Sequence, residues 1–227
     1  KKTPITPEAA VASKVPNRLQ SPKAGTGQQL TLSRRAVLGK AQYKAVTFTP
    51  DQAQIIAVTE DGDIESFSVK TGESIELTQA RNVGGESLAM SPYGFELAVS
   101  GKKGMMLYDF PSMKTKRYYP GPQEGCALTI SPDGRTLAAT NGDLIHLIDL
   151  HRGMERGSII TTLKEDNQQG RSIAFSPDGR LLAFAGKFNK LVVVDCTDYT
   201  EKLRVDIRPG TTVGKVIFSP DGTKITF

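Results

Sequence analysis

The sequence predicts an all-β fold built from a small antiparallel sheet repeated along the chain, and three observations carry that reading. Five segments align: VTFTPDQAQIIAVT from Val46, LAMSPYGFELAVS from Leu88, LTISPDGRTLAAT from Leu128, IAFSPDGRLLAFA from Ile173 and VIFSPDGTKITF from Val216. Their prolines, Pro50, Pro92, Pro132, Pro177 and Pro220, are spaced by 42, 40, 45 and 43 residues. Between them hydrophobicity alternates or runs continuously over short stretches, and Gly or Pro intervenes too often for a helix to form. A period of this length with strand content throughout is that of a β-propeller blade.

Taken in order, residues 1–29 are rich in Pro, Ala, Ser, Thr, Gly and Lys and bury too little apolar surface to fold alone. From residue 30 to 227 the chain reads as propeller. LTLSRRAVLG has Leu30, Leu32, Ala36 and Leu38 mostly at two-residue spacing, which predicts an edge strand. Arg34 and Arg35 within it resemble a twin-arginine export signal. That signal needs an apolar stretch downstream, and the polar KAQYKAVTFTPDQAQ follows instead. The arginines therefore read as exposed charges on an edge strand, where charge discourages unwanted pairing.

Four units are predicted over about 44–80, 86–120, 125–165 and 171–208, and a partial fifth over 213–227. The fourth shows the pattern plainly. SIAF is a first strand; Ser-Pro-Asp-Gly is a turn in which Pro177 presets φ, Asp178 bonds nearby backbone and Gly179 tolerates positive φ. RLLAFAG is the hairpin partner, KLVVVD a third strand, and EKLRVDI a weaker fourth. The same turn recurs at Pro132, Asp133 and Gly134 and at Pro220, Asp221 and Gly222, with Pro50 and Pro92 marking its place in the first two units.

The net charge of +5 is unevenly placed. Residues 1–40 hold eight basic side chains against Glu8 alone, so the remaining residues are slightly acidic and the pI of about 9.1 belongs to the tail. A basic surface on the folded part is thereby excluded. The tail, with Lys1, Lys2, Lys14, Arg18 and Lys23, reads either as a linker or as an arm lying along an acidic partner, an RNA or an anionic membrane surface. No stretch is apolar enough for a membrane span. The two cysteines, Cys126 and Cys196, stand 70 residues apart with no CxxC and read as free thiols, one disulfide being the alternative. The compartment is left open, a cytoplasmic or organellar one being favoured.

The units resemble WD-repeat β-propeller blades over about residues 44–227. The third strands end in LYDF, LIDL and VVVDC, placing Asp109, Asp149 and Asp195 where the family has the Asp of its Trp-Asp pair, with Tyr108, Ile148 and Val194 in the Trp position. SFSV puts Phe67 and Ser68 there in the first unit. The family's Gly-His pair is reduced to Gly85, Gly125 and Gly170, seven residues before their prolines, without His. The resemblance implies a protein-interaction module whose loops and rims bind other proteins of an assembly. It also implies an N-terminal strand closing the last blade, a place that Leu30–Gly39 fits. Four and a half units fall short of the family's usual seven, and the chain opens on Lys1 rather than Met. Three readings stay open: a portion of a longer propeller, a five-bladed ring closed by its own N-terminal strand, or a ring completed by a partner chain.

No catalytic set is predicted, and no metal or cofactor. The sequence contains no nucleophile elbow, phosphate-binding loop or His-Glu-x-x-His. His146 and His151 flank LIDL at a spacing that puts them on opposite faces of a strand. EDGD at Glu60–Asp63 and KEDN at Lys164–Asn167 are acidic loops that lack the calcium-loop pattern. In KRYYPGP, Lys116, Arg117, Tyr118 and Tyr119 make an aromatic-basic stretch. It reads as an alternating edge strand with one tyrosine in and one out, or as a protein-docking patch. The sequence thus predicts a non-catalytic interaction scaffold. The alternatives are a propeller domain of a larger hydrolase-type enzyme and a nucleic-acid-associated scaffold held by the tail.

Overall fold

The structure, a computed structural model, describes residues 42–79, 84–120, 126–141, 144–160, 172–185, 190–207 and 214–227, all within one unit of the chain, Leu38–Phe227. The basic tail, the Leu30–Gly39 strand and the KEDN loop lie outside the described residues. Four antiparallel sheets follow one another, each with its strands in sequence order. They comprise β1–β4 (Tyr43–Phe48, Gln54–Thr59, Asp63–Ser68, Ser74–Gln79), β5–β8 (Ser87–Met90, Glu96–Gly101, Gly104–Asp109, Lys114–Pro120), β9–β12 (Leu128–Ile130, Thr136–Asn141, Leu144–Asp149, Met154–Ile160) and β13–β16 (Ser172–Phe175, Leu181–Ala185, Lys190–Asp195, Glu201–Asp206). A fifth hairpin, β17 (Ile217–Phe218) with β18 (Ile225–Thr226), begins a further unit. No helix occurs among the described residues.

Burial changes from strand to strand, and the sequence shows why. The second and third strands, such as LLAFA and KLVVVD, are almost wholly buried because the second to fourth sheets are covered on both faces by their neighbours. That is why they read as continuous apolar runs rather than alternating ones. The fourth strands, KTKRYYP and EKLRVD, carry the charge and stay exposed. The first strands contact one another in series and together line one channel of about 520 Å³.

Four apolar clusters fill the spaces between successive units. One joins Ile56, Val58 and Ile64 to Leu97, Val99 and Met106; the next joins Ala98, Met105 and Leu107 to Leu137, Ala139 and Ile148. The third joins Ala138, Ile145 and Leu147 to Leu182, Phe184 and Val192, and the fourth carries Ala183, Leu191 and Val193 to Val216. Strand alternation produces this directly: in β10, Leu137 and Ala139 face the preceding unit while Ala138 faces the following one. Leu137 thereby shares a cluster with Ala98, and Leu182 with Ala138, a large residue beside a small one at these two interfaces, whereas the first interface has Ile56 in the small residue's place.

Candidate functional site

The turn between first and second strands is the same device in four units. Ser131, Ser176 and Ser219, and Thr49 in the first, donate a hydroxyl hydrogen bond to Asp133, Asp178, Asp221 and Asp51 at 2.5–2.6 Å. The same carboxylate Oδ1 then accepts a backbone N–H two residues on, at 3.0 Å in each case. The hydroxyl oxygen in turn accepts the N–H that opens the second strand. The fourth residue of the turn has positive φ: Gly134, Gly179 and Gly222, with Gln52 at 58° in the first unit. Successive turns stack, since a Cβ on Gly179 would meet Pro132 at 3.5 Å and one on Gly222 would meet Pro177 at 3.6 Å.

The hydrogen bonds hold these carboxylates below their ordinary pKa. The Ser219 hydroxyl, with the Thr223 N–H and hydroxyl, takes Asp221 down to about 2; Ser176 and the Arg180 N–H lower Asp178, and Thr49 and the Ala53 N–H lower Asp51. At Asp133 partial burial acts upward, but the Ser131 and Arg135 contacts outweigh it and the shift is again downward. A carboxylate with a depressed folded pKa contributes stability that is present above its unfolded value and lost as pH falls through the folded one. Melting temperature is therefore expected to drop as pH falls from about 4 toward 2. An Asp221→Asn variant is expected to lose part of that dependence; an unchanged profile would show that the turn bonds do not persist in solution.

The second unit breaks the device. Its turn is Ser91-Pro92-Tyr93-Gly94-Phe95, and Tyr93 stands where the other units have Asp. Ser91 Oγ still accepts the N–H groups of Phe95 and Glu96, both at 3.1 Å, but no carboxylate closes the turn. Tyr93 is 63% exposed and Phe95 67% exposed. The Tyr93 ring lies along Gly134 of the next turn, so closely that a Cβ there would come within 2.9 Å of Cδ2. Immediately beyond lies a cleft of about 210 Å³ between the third and fourth units, lined by Asp133, Arg156, Phe175, Asp178, Cys196 and Tyr199 among others. Sequence reasoning passed over Tyr93, Phe95 and Tyr199. The only sequence signal for the first two was the departure of SPYGF from the repeated SPDG.

The aromatic-basic stretch on β8 is exposed throughout except at Tyr119. Tyr118 is exposed and donates its hydroxyl to the Lys103 carbonyl at 2.9 Å, while Tyr119 is half-buried against the second cluster. Lys116 pairs with Glu96 at 2.8 Å. The Arg117 guanidinium donates to the Gly153 carbonyl at 2.7 Å, and the Tyr119 hydroxyl reaches the same oxygen at 3.4 Å. Arg117 and Tyr119 thus fasten the second unit to the third, a role the sequence did not disclose. Of the four residues, only the Tyr118 ring stands open as apolar surface.

The third-strand aspartates cap the turns that follow them: Asp149 accepts the Arg152 N–H at 2.9 Å, Asp195 the Thr197 N–H at 2.8 Å, and Asp109 the Ser112 hydroxyl at 2.7 Å. His146 lies within β11, its Nδ1 2.7 Å from Glu155, and His151 is exposed in the next turn. Glu60 of the EDGD loop pairs with Lys44 and Lys102, which bring its pKa to about 2. Among the described residues no three His, Cys, Asp or Glu side chains come together to hold a metal, and no helix is long and apolar enough to cross a membrane.

Both cysteines are free thiols, Cys126 in the second cluster and Cys196 beside the third. Burial pushes Cys126 up to about 12 and, with Asp195 and Asp178 adding to it, Cys196 up to about 11. A raised pKa leaves little of the reactive thiolate. A thiol-alkylating probe at about pH 8 is therefore expected to spare Cys126 in the folded protein and label Cys196 slowly, with both reacting fast after denaturation. Equal rates before and after denaturation would contradict the burial.

No family model matches the chain, and no curated protein matches it. Among solved structures, hydrazine synthase of Kuenenia stuttgartiensis has the same architecture, with a TM-score of 0.70 at 20% identity. The likeness covers 85% of this chain and 58% of that one, so the chain spans little more than half of that structure's length. What is shared at that identity is the arrangement of strands. The fold is a β-propeller. Its four complete sheets are blades, the β17–β18 hairpin is part of a fifth, and the five first strands face the common channel.

Proposed function

We propose that the chain is a non-catalytic interaction module, built of WD-repeat-like blades, that works as a subunit of a larger assembly. The observation that carries this is the second-blade turn. Four blades keep an aspartate that satisfies the turn's hydroxyl and backbone donors, whereas the second gives it up for two large exposed aromatic side chains. Tyr93 rests on Gly134 yet stays largely exposed, and a break in a local rule that leaves large apolar side chains in solvent marks a position kept for something other than folding; exposed apolar patches on folded proteins are commonly contact surfaces. The test is the size of the native particle. Protein from its natural source is expected to elute above the mass its polypeptide shows under denaturing conditions. Replacing Tyr93 and Phe95 together by Ser is expected to shift it downward, with circular dichroism unchanged. Elution as a single chain would overturn the proposal.

A second reading, a propeller domain serving an enzyme whose chemistry lies elsewhere, draws support from the name of the structural neighbour, a synthase. It predicts that limited proteolysis of the native protein separates a propeller fragment from a second folded fragment that alone retains activity.

A further inference from the structure

We propose that the surface running from Tyr93 and Phe95 of the second blade to the cleft between the third and fourth blades docks an extended segment of a partner protein through a Lys or Arg side chain. This rests on the interaction-module reading and gives its partner a chemistry. The two halves of the surface are continuous along the ladder of turns. Tyr93 lies on Gly134, Gly134 follows Asp133, and Asp133 lines the cleft with Asp178, whose own Gly179 packs on Pro132. A chain laid along consecutive turns therefore meets the aromatic rings first and the carboxylates next.

The chemistry of each half favours a cation. Tyr and Phe ring faces attract ammonium and guanidinium groups, and Tyr199, also partly exposed, supplies a third ring at the cleft. Asp133 and Asp178 spend Oδ1 on their own turns, at 2.5 and 2.6 Å to the serine hydroxyls and 3.0 Å to the backbone. Their Oδ2 atoms accept no hydrogen bond among the described residues. Both carboxylates are ionised at neutral pH, since their turns lower them. Basic groups near them are already engaged or set beside an acid: Arg156 donates to Thr136 Oγ1 at 3.3 Å, and Arg135 and Arg180 lower the pKa of Asp133 and Asp178. Asp133, Asp178 and Arg156 line the cleft, with Arg135 and Arg180 beside the two carboxylates, so what it offers a ligand is the two open Oδ2 atoms rather than an excess of negative charge. A nucleic acid could stack on the rings, but the open Oδ2 atoms accept from a cationic donor and would repel a phosphate, which favours a peptide with a basic residue.

The test uses short degenerate peptide pools with a fixed central Arg, Lys, citrulline or Glu, and fluorescence polarisation against the whole chain. Arg and Lys pools are expected to bind, with the citrulline pool about tenfold weaker or worse. Tyr93→Asn removes the ring without adding charge and offers Ser91 the turn oxygen that Asp supplies in the other units. It is expected to weaken the Arg pool about tenfold while leaving the melting temperature unchanged or higher, a split that a merely structural role for Tyr93 would not produce. Asp178→Asn, which keeps an oxygen for Ser176, is expected to weaken the same pool without unfolding the blade. Equal binding by wild type and Tyr93→Asn, or by Arg and citrulline pools, would overturn the proposal. So would preferred binding of the Glu pool or of an RNA oligonucleotide. If no pool binds while the native particle remains large, the docking chemistry is wrong and the interaction-module reading stands. If the native protein elutes as a single chain, that reading itself falls.

Discussion

Gly85→Ala is expected to destabilise the protein by about 3 kcal/mol and to lower its melting temperature by about 10 °C. A Cβ built at Gly85 would come within 2.2 Å of the Thr59 carbonyl oxygen and 2.4 Å of Val58 Cγ2 in the preceding blade. The Val58 side chain is fully buried, so it has nowhere to rotate, and the other obstacle is backbone. The Gly85 N–H also donates to the Glu60 carbonyl at 3.2 Å, which ties the first blade to the entry of the second. Relief of the clash would have to open the interface at the cluster of Ile56, Val58, Leu97 and Val99. Gly157→Ala is the control, because a Cβ there meets nothing within 4 Å; there the expected change is within about 0.5 kcal/mol. Denaturant melts of the two variants decide it, and equal midpoints would mean that the blades are further apart than the structure places them.

Gly85 also shows how much of the fold could be read in advance. It recurs at a fixed distance before the turn proline, so the sequence marked it, and the interface supplies the reason at Gly85: the chain entering the second blade passes against the second strand of the first. Strand number, order and the turn residues were legible for the same reason, repetition, which turns one weak pattern into five concordant ones. Contacts between blades were not legible. Arg117 and Gly153 are 36 residues apart, and although Gly153 sits in a turn that recurs in each unit, Arg117 has no repeated counterpart that would relate the two. The candidate docking surface was hidden by the same repetition that disclosed the fold. Set beside its four counterparts, SPYGF reads as a worn copy of the turn, and only the exposure of both rings and the cleft beyond Gly134 give the difference a meaning. Register held a smaller lesson. Matched through its turn bonds, Ile56 of the first blade occupies the place of Ala138, because Gln54 opens β2 as Thr136 opens β10.

Leu137→Ala is expected to cost about 3 kcal/mol, and Ala98→Leu, across the same interface, about 2 kcal/mol in the same direction. Leu137 is fully buried, and it shares one apolar cluster with Met105, Leu107 and Ala98 from the second blade. Removing its side chain loses the transfer of buried methyl and methylene groups and leaves a void that two opposed sheets, each held by its own hydrogen bonds, collapse into only in part. Enlarging Ala98 presses from the other side against a space already filled. Because the two side chains share one interface, the double variant is expected to recover part of the loss, with a coupling of about 1 kcal/mol of opposite sign to the single costs. Leu203→Ala on the exposed β16 strand is expected to change stability by less than about 0.5 kcal/mol. The double variant carries the decision. Strict additivity would show that Leu137 and Ala98 do not oppose one another, and the pairing of large against small residues between successive blades would then be wrong at the interface where it is most fully drawn.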